Sequence, residues 1–407
     1  MMDINEVRKD FPFFEANPGM TYLDSSATSQ RPKCVIDALD DFYLKHNASP
    51  FRGLYELSLS ATDAYEHARS VVGQWIGTDD PGEIVFTRNA SESLNLVAYA
   101  YGDSFIHEGD EILVGITEHH SNFLPWQHLA RRVGAKVRYY YCEADGSYDL
   151  NKLEELFTTR TKLLAITHMS NIFGRENDLA SMAKICHSYG AVIVADGAQS
   201  VPHIPVDVKA LDVDFLAFSG HKMLSPFGIG VLYGRRSLLE AMPPFLTGGE
   251  MIETVSIEKT VYSPIPQKFE AGTVNTAGAI ALEAAIHYYE KLGFANMHER
   301  ELALTRYLMD GMQNIPHVRV LGSELPEEHN GIVAFDLEGV HPHDISDILA
   351  YQGICVRAGH HCAQPLHTYI GVPSSTRASL MFYNTEEEID RFLTALKEIR
   401  RMMGYAE

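Results

Sequence analysis

The sequence is poor in cysteine and has no long apolar run. Its 407 residues hold five cysteines, none in a C-x-x-C pair. So sparse and odd a set argues against a disulfide scaffold or a zinc knuckle. No stretch approaches the roughly 20 apolar residues that span a bilayer, and the first residues lack the pattern of a signal peptide. We therefore expect a cytoplasmic protein with no membrane contact and no metal site.

Basic residues are also scarce. The chain has 33 Lys and Arg against 54 Asp and Glu, a formal net charge of −21. Such an acidic balance argues against a protein that binds nucleic acid. Hydrophobic residues make up 45% of the chain, which is typical of a globular protein with a sizeable core. The length suits one large domain with a smaller one beside it.

Short apolar segments alternate with amphipathic ones in the middle of the chain. The apolar segments, each predicted to be a strand, are Glu111–Ile116, Lys136–Tyr141, Lys162–Thr167, Ala191–Ala195, Asp214–Phe218 and Gly230–Tyr233. The amphipathic segments between them, each predicted to be a helix, are Phe123–Val133, Asn151–Phe157 and Leu179–Tyr189. This alternation predicts an α/β fold with a mostly parallel central sheet flanked by helices.

The last third of the chain has a different pattern. A long helical region, Thr276–Gln313, precedes strands near His317–Leu321 and Gly331–Leu337, and helices near Asp344–Tyr351 and Glu386–Met403. This order is typical of a small α+β domain. We predict a large domain over residues 20–292 and a small domain built from residues 1–19 and 293–407.

A carboxylate and a lysine follow two of the predicted strands. Asp196, with Gln199 close behind it, comes directly after Ala191–Ala195, and Lys222 ends the tetrapeptide Ser219-Gly220-His221-Lys222 after Asp214–Phe218. Ligands of open parallel sheets bind at the carboxyl ends of the strands. Pyridoxal 5′-phosphate (PLP) needs a lysine for its Schiff base and an acidic partner for its ring nitrogen. The sequence therefore predicts a PLP site here.

Other segments could serve the same cofactor. The segment Phe86–Ser93 passes from a strand into a helix, where free N–H groups and hydroxyls can hold a phosphate. His119, after the strand Glu111–Ile116, is a candidate to stack on a flat ring. Each signal is weak by itself, because such serines usually cap helices and most single histidines are structural.

Four strings together resemble a known family. Asp196-Gly197-Ala198-Gln199 followed by Ser219-Gly220-His221-Lys222 resembles the class V aminotransferase group of fold-type I PLP enzymes. Glu118-His119-His120 resembles the stacking-histidine segment of that group. The string from Arg357 to Pro365, RAGHHCAQP, resembles a catalytic-cysteine segment, and Arg377-Ala378-Ser379 resembles a substrate-arginine segment. The combination resembles cysteine desulfurases of the SUF type, from about Tyr22 to the end of the chain.

The resemblance implies a role for each residue around the cofactor. Lys222 is expected to carry PLP and to move protons. Asp196 is expected to pair with the ring nitrogen, Gln199 to bind the phenolic oxygen, and His119 to stack on the ring. The phosphate is expected to be held by N–H, hydroxyl and imidazole groups of Ala90, Ser91, Ser219, His221 and, from the neighbouring subunit of a homodimer, Thr273.

The resemblance also implies the substrate and the reaction. L-cysteine is expected to become L-alanine, with Arg377 and Asn171 holding its carboxylate and Arg357 lying beside the site. Cys362 is expected to take the sulfur as a persulfide and to pass it to an acceptor protein for iron–sulfur assembly. Polar neighbours of Cys362 argue against an inert buried thiol, which is the better description of Cys355.

Several alternatives stay open at this point. L-selenocysteine could be the substrate, in a selenocysteine lyase or another PLP β-lyase, or the chain could be a non-catalytic sulfur-transfer scaffold. Phe51 and Tyr55 stand where the family commonly carries histidines, which leaves substrate entry in question. His341-Pro342-His343 offers too few ligands for a metal and is predicted to begin a helix, although His343 could help to dock an acceptor.

Overall fold

The computed structural model describes residues 3–405 of the chain. Its strands are β1 (Thr21–Tyr22), β2 (Ile84–Thr87), β3 (Glu111–Gly115), β4 (Lys136–Tyr140), β5 (Thr161–Thr167), β6 (Val192–Asp196), β7 (Phe215–Ser219), β8 (Gly230–Gly234), β9 (Ile252–Val255), β10 (Thr260–Tyr262), β11 (Val318–Val320), β12 (Ile332–Leu337), β13 (Ile354–Cys355), β14 (Arg357–Gly359) and β15 (Ser375–Ser379). Its α-helices are α1 (Ile4–Lys9), α2 (Pro12–Ala16), α3 (Lys33–Asp41), α4 (Glu56–Trp75), α5 (Ala90–Leu96), α6 (Asp103–Phe105), α7 (Leu124–Val133), α8 (Leu150–Leu156), α9 (Leu179–Ser188), α10 (Ser200–His203), α11 (Val208–Leu211), α12 (Arg236–Ala241), α13 (Thr276–Leu292), α14 (Phe294–Gln313), α15 (Pro342–Tyr351), α16 (Gln364–Tyr369) and α17 (Glu386–Met402).

The main sheet has seven strands in the order β2-β8-β7-β6-β5-β3-β4. Strands β3 to β7 run parallel, which confirms the predicted mostly parallel α/β sheet, while β8 runs antiparallel to both of its neighbours. Gly230 of β8 pairs with Thr87 at the end of β2 and with Ser219 at the end of β7. The carboxyl ends of β2, β6 and β7 therefore meet at one edge of the sheet.

Local sequence signals begin and end the elements around this sheet. The carboxylate of Asp178 accepts a hydrogen bond from the N–H of Ser181 and so begins α9. Helix α7 ends at Gly134, whose φ of 75° lies in the left-handed region that glycine adopts without strain. Strands β6 and β7 are buried along their whole length, as expected for central strands covered by helices on both faces.

A second, four-stranded antiparallel sheet has the order β11-β12-β15-β14. It shares a hydrophobic core with helices α14, α15 and α17. The predicted helical region divides at Gly293, with a φ of 80°, into α13 and α14. The proposed domain boundary falls there, although Val7 and Phe11 of the first residues pack in the core of the large sheet. None of the described helices is long and apolar enough to cross a membrane.

Candidate active site

A cavity of about 250 Å³ opens at the edge where the ends of β2, β6 and β7 meet. All residues that the sequence singled out for the site line this cavity, with the exception of Thr273. They are Ala90, Ser91, His119, Asn171, Asp196, Gln199, Ser219, His221, Lys222, Arg357, Cys362 and Arg377. Segments far apart in sequence thus converge on one volume. The roles of these residues remain predictions.

Lys222 and Asp196 both line this cavity, and the charge of each affects the pKa of the other. Burial lowers the pKa of Lys222 to about 8, and the negative charge of Asp196 opposes that shift. Burial raises the pKa of Asp196. A hydrogen bond of 2.9 Å from the N–H of Ala198 and the positive charge of Lys222 both oppose this rise. A cationic ring nitrogen beside Asp196 would compensate the buried carboxylate, so the pair suits a protonated pyridine.

His119 is held as a neutral ring. Burial lowers its pKa to about 3, helped by the charge of Lys222. Its Nδ1 accepts a hydrogen bond of 3.1 Å from the N–H of Ser121, which leaves the proton on Nε2. The buried Glu118 fixes the segment by accepting from Asn122 Nδ2 at 2.6 Å and from Thr167 N at 2.7 Å. A flat, uncharged side chain therefore lines the cavity.

The start of α5 forms a tight cradle beside β7. The N–H of Ala90 donates to Ser219 Oγ at 2.8 Å, and the hydroxyls of Ser91 and Ser121 lie 2.6 Å apart. A Cβ at Gly230 would stand 2.4 Å from the Cα of Asn89, so only glycine allows β8 to approach this turn. Hydroxyls and backbone N–H groups gathered here are the donors that a phosphate needs.

Three buried atoms on this side of the cavity have no partner. They are Ser26 Oγ, Gln199 Oε1 and His221 Nδ1, whereas Gln199 Nε2 donates to Ser26 O at 3.0 Å. Buried polar atoms are nearly always paired. A bound group with polar substituents around a flat ring would pair with them, so the residues present fit PLP.

Arg377 is almost fully buried and only partly paired. Its Nη1 donates to Asn171 O at 3.0 Å and its Nη2 to Asp24 Oδ1 at 3.4 Å, while its Nε has no partner. Burial lowers its pKa to about 10. Arg357 is more exposed and lies 3.9 Å from Asp24. The free edge of the Arg377 guanidinium can therefore take a carboxylate.

Cys362 is exposed at the rim of the cavity. It and His361 have φ values of 58° and 49°, in the left-handed region that few non-glycine residues occupy. The N–H of His120 donates to Cys362 O at 2.6 Å, and Asn171 Nδ2 donates to His361 O at 2.7 Å. These contacts hold a strained, short loop that presents the thiol to the cavity.

Sequence reasoning missed part of the lining. Ser26, Ala27, Asn89, Ser121, Thr167, Met169, Ala198 and His361 also line the cavity. Ser26 comes from the N-terminal region and is fixed by its N–H donating to Ser379 Oγ at 2.9 Å. This contact joins residues far apart in the chain, so no local motif marks it. For His361 the signal was its position beside Cys362.

Some residues that the sequence highlighted lie elsewhere. Thr273 is exposed and does not line the cavity of its own chain. Phe51 packs against Tyr65, and Tyr55 lies just before the start of α4. Neither Phe51 nor Tyr55 lines the cavity. His341 caps α15, as expected. Within residues 3–405, no group of three or more His, Cys, Asp or Glu side chains is placed to hold a metal ion.

The fold and the cavity together define a class of protein, the fold-type I enzymes that work with PLP. A family model described as aminotransferase class-V matches residues 21–392. A probable cysteine desulfurase of Streptomyces coelicolor is 44% identical over 412 residues, covering 99% of each chain. A cysteine desulfurase of Escherichia coli is 44% identical over 408 residues, covering 99% of this chain and 100% of the relative.

A solved structure agrees with these sequence matches. The cysteine desulfurase of Thermococcus onnurineus NA1 superposes with a TM-score of 0.94 at 41% identity, covering 99% of each chain. The chain belongs to the class-V aminotransferase family, which confirms the resemblance drawn from its motifs.

Proposed function

We propose that this protein is a PLP-dependent cysteine desulfurase that converts L-cysteine to L-alanine and takes the sulfur onto Cys362. One observation carries the proposal. An exposed thiol and a buried guanidinium with a free N–H line the same cavity as the lysine and carboxylate that suit PLP. The full-length relatives named as cysteine desulfurases support the same reading.

The side chains divide the work. When bound, PLP supplies an electron-withdrawing ring that makes the substrate's α-proton removable. Lys222, with a pKa near 8, can take and return that proton close to neutral pH. Asp196 would keep the ring nitrogen of bound PLP charged, and the neutral side chain of His119 would stack on the ring. Arg377 grips the substrate carboxylate and so fixes the direction in which its sulfur points.

The sulfur step balances without an added oxidant. The Cys362 thiolate attacks the sulfur of the substrate, an S–S bond forms, and the C–S bond breaks. The electron pair of the C–S bond stays with the carbon skeleton, which is protonated and leaves as L-alanine. L-cysteine and the Cys362 thiol thus give L-alanine and a Cys362 persulfide.

The finer features rest on the resemblance and belong to the same proposal. We place the protein in the SUF-type subgroup, as a homodimer in which Thr273 reaches the phosphate of the partner's site. The sulfur passes to an acceptor protein for iron–sulfur assembly in the cytoplasm. Residues 20–292 form the cofactor domain, and residues 1–19 with 293–407 form the domain that carries Cys362 and Arg377.

The test is to supply PLP-loaded protein with L-cysteine and a reductant and to measure sulfide and alanine. Wild-type protein should give equal amounts of both, and Cys362→Ala should give almost none. Cys355→Ala is the matched control, because Cys355 lies on strand β13 and does not line the cavity. This variant should behave as wild type. Pyruvate in place of alanine, or full activity of Cys362→Ala, would instead indicate a β-lyase.

A further inference from the structure

His361 has an unpaired ring nitrogen, Nδ1, that no role above uses. The side chain is 7% exposed and lines the cavity next to Cys362. Its Nδ1 atom is buried and has no hydrogen-bond partner. Because buried polar atoms are nearly always paired, an unpaired one on a residue that lines the cavity is a candidate contact for a bound ligand.

The contacts of the ring fix where its proton is. His361 Nε2 lies 3.1 Å from Ser375 O and 3.0 Å from Ser375 Oγ. A carbonyl oxygen only accepts, so Nε2 carries the hydrogen. Burial lowers the pKa of His361 to about 2, so the ring is neutral. Nδ1 is therefore a hydrogen-bond acceptor and cannot donate.

The next histidine in the network points to the same assignment. His367 Nδ1 lies 3.1 Å from Ala363 O, so it must donate, and burial keeps this ring neutral as well. His367 Nε2 then accepts from Ser375 Oγ at 3.0 Å. The hydroxyl of Ser375 thus donates to His367 and accepts from His361. The arrangement that satisfies both carbonyl oxygens, Ser375 O and Ala363 O, therefore leaves His361 Nδ1 as an acceptor.

We propose that His361 Nδ1 accepts a hydrogen bond from the thiol of the bound substrate and holds that sulfur as neutral S–H beside Cys362. This inference rests on the proposed function. An amino acid held by Arg377 would have no donor on its carboxylate, and its amino group would be directed to the cofactor that Lys222 holds. The thiol would then be the donor left for His361, the residue that precedes Cys362 and lines the same cavity.

Such a contact has chemical consequences. A neutral acceptor stabilises the protonated thiol and disfavours the thiolate. The Cys362 thiolate then attacks an uncharged sulfur, without repulsion between like charges. Amino acids that lack a donor at this position gain nothing from His361. A selenol is more acidic than a thiol and is ionised at neutral pH, so the same atom favours L-cysteine over L-selenocysteine.

Two substitutions separate this contact from the anchoring role of the ring. His361→Gln places an amide where Nε2 lies and can keep the bond to Ser375, but it has no acceptor at the Nδ1 position. His361→Asn places an amide oxygen near the Nδ1 position but cannot reach Ser375. Both are made in PLP-loaded Cys362→Ala, in which the substrate binds without turnover and the Cys362 thiol is absent.

Binding of L-cysteine and L-alanine is followed by the change in cofactor absorbance. We expect His361→Gln to weaken L-cysteine binding roughly tenfold, the value of one buried hydrogen bond, and to leave L-alanine binding unchanged. We expect His361→Asn to keep most of the affinity for L-cysteine. Unchanged L-cysteine binding in His361→Gln, an equal loss for L-alanine, or a loss confined to His361→Asn would each overturn the inference.

Turnover supplies a second readout with Cys362 in place. The ratio of kcat/KM for L-selenocysteine to that for L-cysteine should rise roughly tenfold in His361→Gln, and an unchanged ratio would contradict the proposal. Failure of the proposed function would look different. Wild-type protein would then form no alanine from L-cysteine, whatever the variants bind.

Discussion

A buried ion pair behind the cofactor cradle gives the most specific prediction about stability. The Glu270 carboxylate accepts from Arg69 Nη1 at 2.6 Å and Nη2 at 2.9 Å, and from Tyr65 OH at 2.9 Å. It also accepts from the N–H of Phe86 at 2.7 Å, on β2, which leads directly to the cradle at Ala90. One carboxylate therefore ties α4 to the strand that positions the phosphate-binding turn.

The size of the effect follows from burial. Arg69 is fully buried, and Glu66 pairs with its outer side at 3.0 Å and is partly exposed. Removing one partner of a buried pair costs about 3–5 kcal/mol. Because Glu66 remains as a second partner, we expect Glu270→Gln to lose about 3 kcal/mol of the free energy of unfolding, the lower end of that range. Glu66→Gln, the partly exposed control, should lose less than about 1 kcal/mol of the free energy of unfolding.

Urea unfolding and a PLP titration measure the two consequences together. We expect Glu270→Gln to lower the urea midpoint and to weaken PLP binding, because an amide has one acceptor oxygen and cannot accept all four hydrogen bonds that hold α4 against β2. In a double-mutant cycle with Arg69→Met, the two losses should overlap by at least about 2 kcal/mol. Losses that simply add, or PLP affinity equal to wild type, would refute the claim that this pair supports the cradle.

Three further predictions concern the cavity itself. Arg377→Lys should raise KM for L-cysteine by about 30-fold to 100-fold, more than it lowers kcat, because a lysine cannot form the planar fork to a carboxylate; an unchanged KM would exclude Arg377 as the carboxylate site. His119 should stay neutral between about pH 5 and 8, since burial holds its pKa near 3, so its ring NMR shifts should not titrate there. The rate of PLP uptake by the apoprotein should rise as the pH rises through about 8, because only the uncharged amine of Lys222 attacks the aldehyde of PLP. Asp196→Asn should lower the pH midpoint of this rise, since the Asp196 carboxylate stabilises the ammonium form of Lys222. A higher midpoint in Asp196→Asn would contradict this electrostatic interaction.

The parallel strands β3, β5, β6 and β7 were predictable because each is a short, mostly apolar run that is almost completely buried. The direction of β8 was not predictable, since Gly230–Gly234 is as apolar as the parallel strands of the sheet and only pairing across the sheet sets its direction. Strand β15 was missed because Ser375–Ser379 is polar, although the structure buries all of it. The polar side chains of β15, such as that of Arg377, find hydrogen-bond partners only in the folded chain.

The site was predictable where residues follow strands or form a dense motif, as at Asp196, Lys222 and Cys362. Contacts that depend on distant segments were not. Ser26 reaches the cavity through Ser379, and the network that fixes the proton on His361 depends on Ser375. The place of Thr273 in a partner's site depends on a second subunit, and remains a prediction.

The most direct test of the account is the fate of the sulfur in a single turnover. PLP-loaded protein is mixed with L-cysteine in the absence of reductant, and the reaction is quenched. The mass of the peptide that contains Cys362 is then measured by mass spectrometry, and the alanine formed is quantified. We expect one alanine per site and a gain of one sulfur atom on Cys362, with no gain on Cys355. Alanine formed without added sulfur on Cys362, or sulfur carried by another cysteine, would contradict it.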